Sequence, residues 1–496
     1  MNIFNDKRNI NEPTLLQAIV SFLGLVIVMS VGIAIFEVPP HIPMFIGVIF
    51  ASIMALYLGH TWQDIEKMMV NGISKAMPST LILAIVGMLI GIWILSGTIP
   101  SMIYYGLKLL SPKFFLLATV LICSITSLAT GTSWGAMGTM GIALIGIGNG
   151  LGIPIGPTAG AIICGAYFGD KMSPLSDTTN LAPAMAGTDV FTHVKYMIKA
   201  NSVAYLLTLA VFTIYGLIHS AKNNVDLSQL KLLMDELENS FNINPILLIP
   251  PLVVIVAILF KVPAIPGITL GLISGAVIAP IFQGDLAVFQ ASDGIIKLAH
   301  HGITFGDILT CARDGFICNT KCKSLNSLLS TGGLMNMSSS ILMTIIAMMF
   351  GGVMEETGQL EAIINKITKK VKSGAGLVGA TEMTCVLSNM IMPEQYISIL
   401  VPGRMYAPAF RKMGIHPKSL SNALESAGTV SSPLVPWNTC GVYIATTLGV
   451  SVSVYAPWAI FNYSMPIITF IMAILGITVT KMTDEEKKRA DKGEII

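Results

Sequence analysis

The sequence predicts an all-α polytopic membrane protein made of two inverted repeats, with broken helices and re-entrant hairpins. Three observations point to this fold class. The composition is typical of membrane proteins, long apolar runs recur along the chain, and several short motifs occur twice in the same order.

The composition is strongly apolar. Of the 496 residues, 53% are hydrophobic and 11% are charged, and the mean hydropathy is +0.74, whereas soluble domains carry about 25% charged residues. About 20 apolar residues cross a bilayer as a helix, and the nearly uncharged runs indicate about ten to twelve spans. Such runs occupy residues 15–36, 41–59, 80–95, 114–130, 202–218, 245–260, 341–353 and 466–479. Their apolar residues are continuous rather than alternating, which predicts helices.

Charge and cysteine content exclude several classes of protein. The net charge is +2, and lysine and arginine lie between the apolar runs, which excludes nucleic acid as a partner. The seven cysteines show no Cys-x-x-Cys spacing, so no zinc or redox site is indicated. No cofactor is expected.

No polar stretch is long enough to fold alone as a catalytic domain, so the chain is not expected to be an enzyme.

Short motifs recur in the same order along the chain. The paired segments are 38–43 with 262–266, 71–75 with 293–297, 79–97 with 340–358, and 173–175 with 432–434. Each match alone is weak, because small and apolar residues recur by chance. Their shared order indicates one structural unit used twice. If each unit crosses the membrane an odd number of times, the two halves lie upside down relative to each other.

The repeats divide the chain into four parts. We expect a first membrane repeat at 1–222, a polar linker at 223–244, a second membrane repeat at 245–482 and a charged C-terminal tail at 483–496. The distribution of lysine and arginine does not decide which side of the membrane the loops face.

Each half ends in two stretches that interrupt the apolar pattern. They are 131–135 and 169–180 in the first half, and 388–395 and 425–441 in the second. A helix broken at membrane depth exposes backbone carbonyls, which is tolerated where they line a cavity or bind an ion. Sodium is a hard cation that favours oxygen ligands, so we expect related sodium sites where the halves meet. The candidate ligands are Thr132, Ser133, Ser176, Asp177, Thr178, Thr179, Asn180, Asn389, Asn438 and Thr439.

Carboxylates in these stretches are the most informative residues, because a buried carboxylate must be paired, protonated or ion-bound. Asp177 and Glu394 are the expected proton-carrying residues, since sodium and protons competing for one carboxylate is the simplest form of antiport. The structural alternatives are that Asp177 caps a helix from a loop and that Glu394 merely starts a helix. The weaker candidates are Asp170, Glu382 and Glu425.

One enzymatic motif is a distant alternative. The segment 131–135 reads GTSWG and fits the G-x-S-x-G nucleophile elbow, which would make Ser133 the nucleophile of an intramembrane serine protease. That elbow requires a preceding strand and a histidine base within reach. None of the seven histidines is expected inside a clear span, which disfavours the protease.

Two stretches resemble the NhaC family of sodium/proton antiporters, which includes malate/lactate antiporter-like members. They read GTSWGAMGT at 131–139 and GAYFGDKMSPLSDTTNLA at 165–182, and the resemblance extends across nearly the whole chain. It implies membership of the ion transporter superfamily, in which a mobile transport domain works against a scaffold, commonly in dimers. The Ser-Asn-Thr sodium sites of that superfamily look similar to 176–180 and 437–439, although the first of these reads Ser-Asp-Thr-Thr-Asn here.

The resemblance implies a secondary transporter in the inner (plasma) membrane of a prokaryotic cell. We expect sodium/proton antiport by alternating access, with sodium- and proton-coupled exchange of an organic acid, of the malate/lactate type, or carriage of an amino acid as the alternative. An organic anion needs a cation to meet its carboxylate, and Arg404 and Lys171 are the basic residues nearest the broken stretches. The expected partners are the lipid bilayer, sodium, protons, a small organic acid as the second candidate cargo, and a second copy of the chain in a homodimer.

Overall fold

The structure is a computed structural model. It describes residues 11–36, 38–222, 227–260, 262–284, 302–320, 322, 325–326, 329–368, 371, 373–491 and 495. These residues form helices joined by short connections, with an isolated bridge between Ile415 and Lys481. The all-α prediction is confirmed.

The first half contains long helices at its two ends and short helices between them. Their bounds are α1 (Leu15–Ala34), α2 (His41–Tyr57), α3 (Trp62–Leu95), α4 (Thr98–Leu109), α5 (Phe115–Thr130), α6 (Ser133–Ala136), α7 (Ile142–Gly150), α8 (Ile155–Met172), α9 (Asp177–Ala186) and α10 (Val190–Lys222). A π-helical turn at Met137–Gly141 joins α6 to α7.

The second half follows the helix α11 (Leu227–Ser240). Its helices are α12 (Ile249–Leu259), α13 (Ala264–Phe282), α14 (Phe305–Asp314), α15 (Ser338–Glu356), α16 (Gln359–Thr368), α17 (Gly374–Ile391), α18 (Gln395–Lys412), α19 (Pro417–Leu424), α20 (Thr439–Leu448), α21 (Val452–Tyr455), α22 (Ile460–Ile474) and α23 (Asp484–Asp491). A π-helical turn at Glu425–Thr429 extends α19.

The order of elements in the second half repeats that of the first. A long helix, α3 or α15, is followed by a short helix, a further helix and a break in each half. Both long helices end two residues before a glycine in the left-handed conformation, Gly97 and Gly358, each with φ 75°. These two glycines are 261 residues apart, as the sequence repeat requires. The inverted orientation of the halves stays a prediction.

Four described helices are long and apolar enough to cross a membrane: Leu15–Gly32, Val190–His219, Ile265–Phe282 and Met335–Glu356. Counting each of three bent pairs of helices as one span gives up to seven. In one pair Thr439–Leu448 meets Val452–Trp458 at 87°, as in a broken span or a re-entrant loop. This criterion gives fewer spans than the ten to twelve predicted. The difference arises because many apolar segments are interrupted or are short helices such as His41–Tyr57.

Two hydrophobic clusters hold the helices together. One surrounds α5 and α8, and the other lies between α1, α2, the start of α3, α15 and α17. At the crossing of α3 and α15, a Cβ on Gly72 would lie 2.2 Å from the carbonyl oxygen of Met348 and 2.9 Å from the Cα of Gly352. The two backbones therefore touch at this crossing, which requires glycine on both helices.

Two predicted segments are only partly described. Residues 223–226 of the predicted linker lie outside the described residues, and the rest contains α11, from which Glu238 accepts a hydrogen bond from the Tyr104 hydroxyl of α4. The second copy of the motif at 71–75, residues 293–297, also lies outside them. The insertion at 301–331 contributes α14, which packs against α3.

Candidate functional site

The first break separates α5 from α6. Gly131 ends α5 with φ 68°, and Thr132 caps α6 by accepting a hydrogen bond from the amide of Gly135 at 3.3 Å. The amide of Ser133 donates to a carboxylate oxygen of Asp170 in α8 at 3.1 Å. Asp170 is buried, and the Ser133 hydroxyl is buried and makes no close hydrogen bond to another described residue. A buried carboxylate therefore lies at the N-terminus of α6, where helix dipoles favour negative charge.

The second break separates α8 from α9. Ser176 and Thr178 are buried, and their hydroxyl groups lie 3.1 Å apart. The Ser176 hydroxyl also faces the carboxylate of Asp170. The Thr179 hydroxyl donates to the backbone carbonyls of Asp170 and Lys171, both at 3.2 Å. The second break thus folds back onto the end of α8. It contributes three buried hydroxyl groups, those of Ser176, Thr178 and Thr179.

Asp177 and Asn180 lie on the outer side of this break. Asp177 is the first residue of α9 and is exposed, and the Tyr396 hydroxyl donates to its carboxylate at 3.5 Å. Its charge is close enough to Asp170 for the two carboxylates to interact electrostatically. Asn180 is exposed, and its amide donates to the carbonyls of Pro174 at 2.9 Å and Ser176 at 2.7 Å.

The breaks of the second half meet through two asparagines. Asn438 caps α20, and its amide group donates to the backbone oxygen and the side-chain oxygen of Asn389, both at 3.1 Å. Asn389 in turn donates to the carbonyl of Gly428 at 2.7 Å and to the Ser431 hydroxyl at 3.0 Å. The amide of Thr439 donates to the carbonyl of Pro393 at 2.9 Å. The predicted residues Asn389, Asn438 and Thr439 are therefore buried in one network.

Glu394 caps α18. One carboxylate oxygen accepts hydrogen bonds from the amides of Tyr396 at 2.7 Å and Ile397 at 3.4 Å. The other oxygen is buried and makes no hydrogen bond within the described part of the chain. Glu394 therefore starts a helix, as the structural alternative held, but half of its carboxylate is free to bind a proton or an ion.

The breaks of the two halves are in contact. The Tyr443 hydroxyl of α20 donates to the carbonyl of Trp134 at 2.6 Å, and the two rings stack with centroids 4.2 Å apart. The Thr178 hydroxyl donates to the carboxylate of Glu425 at 3.1 Å. Trp134 and Thr178 of the first half thus contact Tyr443 and Glu425 of the second half.

Comparison with known proteins identifies the family. Residues 165–477 match the Na+/H+ antiporter family. The chain is 34% identical over 455 residues to the Na(+)/H(+) antiporter NhaC of Alkalihalophilus pseudofirmus, covering 92% of this chain and 94% of that protein. The chain belongs to the Na+/H+ antiporter family. It is therefore a secondary transporter and a multi-pass membrane protein, and the family resemblance seen in the sequence is confirmed.

Relatives of this family member differ in their named cargo. The Malate-2H(+)/Na(+)-lactate antiporter of Bacillus subtilis is 37% identical over 91% of this chain and 92% of that protein. The arginine/ornithine antiporter ArcD of Halobacterium salinarum is 32% identical over 96% of this chain and 95% of that protein. All of these relatives are antiporters by name.

The two basic residues proposed for an organic anion lie in different surroundings in this antiporter-family chain. Lys171, near the end of α8, is completely buried, and its ammonium group donates to the Ser426 hydroxyl at 3.1 Å. Its charge also faces the carboxylates of Glu425 and Glu382. Arg404 in α18 is exposed. The charge of Lys171 thus already interacts with two acids.

Three acids that were the weaker candidates from the sequence lie inside the protein. Asp170, Glu382 and Glu425 are all buried, although each was only a weaker candidate. The available signal was a carboxylate inside an apolar helix, which is clearest for Glu382 in the middle of α17.

The expectation about histidines was wrong. His193 lies in α10, within the apolar window Val190–His219, and it is completely buried. Its Nδ1 is 2.8 Å from the Ser421 hydroxyl, and no hydrogen bond joins it to Ser133 among the described residues. Ser133 follows a helix rather than a strand, so the nucleophile-elbow geometry is missing from this family member.

Proposed function

We propose that this transporter exchanges sodium for protons by alternating access. The observation that supports it most directly is Asp170, a buried carboxylate at the N-terminus of the helix that follows the first break. Membership of the Na+/H+ antiporter family and the names of the relatives support the same function.

Asp170 has the surroundings of an ion ligand. The hydroxyl groups of Ser133 and Ser176 both face its carboxylate. A carboxylate and neutral oxygens are the ligands that hard cations prefer. A buried carboxylate that loses its cation is stabilised by taking up a proton. Sodium and a proton would therefore bind Asp170 alternately, and each would leave on the opposite side of the membrane.

Glu394 is the second proposed carrier of a proton. Its free oxygen is buried, and its residue number exceeds that of Ser133 by 261, the displacement of the sequence repeat. Each half would thus place one carboxylate at the start of the helix after its break. Asp177, predicted from the sequence, is exposed but near Asp170. Its role in proton transfer stays a prediction, as does a homodimer.

A coupled organic acid is the second candidate, favoured by the 37% identity to the malate–lactate antiporter. Against it, the buried cation Lys171 faces Glu425 and Glu382, which would repel an anion. Arg404 is exposed and could meet an anion only if the transporter changes conformation. An amino-acid cargo also carries a carboxylate group and would need a cation to bind it.

The test is a flux panel on the purified protein in proteoliposomes. Sodium efflux is followed with an outward or inward gradient of protons, malate, lactate, arginine or no solute. The proposal predicts that a proton gradient alone drives sodium uphill and that the organic solutes add nothing. Sodium flux that requires an organic solute on the opposite side would favour the second candidate, and sodium flux that no gradient accelerates would contradict antiport.

A further inference from the structure

The buried charge cluster around Lys171 lies beside the proposed sodium site and is not used by it. Lys171 is completely buried at the end of α8. Glu425 faces it from the π-helical turn after α19, Glu382 from α17 and His193 from α10. Asp170, its neighbour in α8, also interacts with Glu425. With both glutamates ionised, the two carboxylates and the one ammonium group leave this cluster with an excess of negative charge.

The oxygens in this cluster are not fully engaged. One carboxylate oxygen of Glu425 accepts a hydrogen bond from Thr178, but the other has no close partner within the described chain. The same holds for one oxygen of Glu382, while the Thr429 hydroxyl faces the Glu425 carboxylate. These buried side chains are 0–4% exposed. Leaving such oxygens without a donor or cation is costly, so they form a set of ligands suited to a cation.

The ammonium group of Lys171 is the cation that the chain itself supplies. Its hydrogen bond to the Ser426 hydroxyl, at 3.1 Å, holds it next to Glu425. An ammonium group has three donors and no acceptor, and it is a compact, strongly hydrated point charge. It can therefore take the place of a small metal cation among oxygens.

We propose that Lys171 is a tethered cation that fills a second cation site lined by Glu425, Glu382 and Ser426, so that this site does not bind sodium. The proposal rests on the proposed function, because it assumes that the neighbouring site binds sodium. It assigns Lys171 a role in determining how many sodium ions each cycle carries. It also explains why Lys171 is unsuited to an organic anion, since its charge is already matched by two acids.

Removing the tethered cation should open the second site to sodium. In the variant Lys171→Met the side chain keeps its approximate length and loses its charge. The two acids then face each other without a cation inside the protein, and binding sodium relieves their burial. We expect purified Lys171→Met to bind about one more sodium ion per chain than the wild type and to gain more thermal stability from added sodium, because a ligand that binds the folded state stabilises it.

The measurement is equilibrium binding of radioactive sodium to the purified protein, with thermal unfolding in sodium chloride and in choline chloride. The matched control is Lys195→Met, an exposed lysine on α10, which should bind as many sodium ions as the wild type. The double variant Lys171→Met with Glu425→Gln removes one charge of each sign and should lose the extra ion. If Lys171→Met unfolds in choline chloride, sodium chloride should restore its folding.

The outcomes separate this inference from the proposed function. A wild type that binds no sodium contradicts the proposed function itself. A wild type that binds sodium, with Lys171→Met binding the same number of ions, overturns the tethered cation. So does a Lys171→Met variant that unfolds equally in sodium chloride and in choline chloride.

Discussion

The side-chain amide of Asn438 donates to both oxygens of Asn389, each at 3.1 Å. Asn438 also caps α20 by accepting from the amide of Cys440 at 3.0 Å. These two asparagines come from the two breaks of the second half and lock them together. Asn389 and Asn438 therefore have a structural role in addition to being candidate sodium ligands.

The first prediction separates the two tasks of Asn438. In Asn438→Ala the cap and both donated hydrogen bonds are lost, and we expect the free energy of unfolding to fall by about 2–4 kcal/mol. Serine is also a good cap but is too short to replace the amide, so Asn438→Ser should recover about 1 kcal/mol of this loss. Thermal unfolding of both purified variants measures the difference. Equal stability of Asn438→Ala and the wild type would contradict the locking role.

The second prediction compares two aspartates of one break. In Asp170→Asn the side chain can still accept the hydrogen bond from Ser133 but carries no charge, so we expect folded protein without sodium/proton exchange. In Asp177→Asn an exposed charge is lost from the first turn of α9, which costs about 0.3–1 kcal/mol. If Asp170 alone is the shared carboxylate, Asp177→Asn should keep exchange, whereas a proton-carrying role of Asp177 predicts its loss.

Exchange assays in proteoliposomes and sodium-dependent thermal shifts of both variants provide the measurement. The reverse result, with Asp170→Asn active and Asp177→Asn inactive, would transfer the role to Asp177, as the sequence first suggested. Loss of exchange in both would place the two carboxylates in one proton pathway.

The sequence predicts the breaks better than it predicts the acids. Glycine, proline, serine and asparagine break a helix through local chemistry. The interruptions predicted at 131–135 and 169–180 therefore contain the observed breaks before Ser133 and between Met172 and Asp177. Whether a carboxylate is buried depends on residues far away in the chain. Asp170 and Asp177 are seven residues apart in one motif, yet only Asp170 is buried.

The electrostatic interaction of Lys171 with Glu425 and Glu382 shows the same limit. More than 200 residues separate Lys171 from either acid, so no local pattern brings them together. The sequence repeat predicts that matching helices occupy matching positions in the two halves. Lys171, Glu382 and Glu425, however, have no matching charged residue in the other half. Their proximity follows from how α8, α17 and the turn after α19 pack.

The third prediction concerns Glu394, which caps α18 with one oxygen and leaves the other free. Glutamine keeps an acceptor for the amide of Tyr396 and loses the charge. We expect Glu394→Gln to be as stable as the wild type and to lose proton-coupled exchange. Glu394→Ala should also lose about 1 kcal/mol of stability with the cap. Coupled exchange by Glu394→Gln at the wild-type rate would limit Glu394 to capping.

The fourth prediction tests the crossing of α3 and α15, where the backbones touch at Gly72 and Gly352. A methyl group on Gly72 would lie 2.2 Å from the carbonyl oxygen of Met348, which is backbone and cannot move aside alone. We expect Gly72→Ala to push the helices apart and to cost about 1–3 kcal/mol, as overpacking does.

The matched control is Gly306→Ala, in the first turn of α14. Gly306 is exposed, and a methyl group there would come no closer than 3.6 Å to the Thr304 hydroxyl. Such a surface substitution should change stability by less than about 0.5 kcal/mol. Thermal unfolding of both purified variants under the same conditions gives the comparison. Because α3 and α15 begin the repeated series of elements in the two halves, a Gly72→Ala variant as stable as Gly306→Ala would mean that the halves do not depend on this crossing.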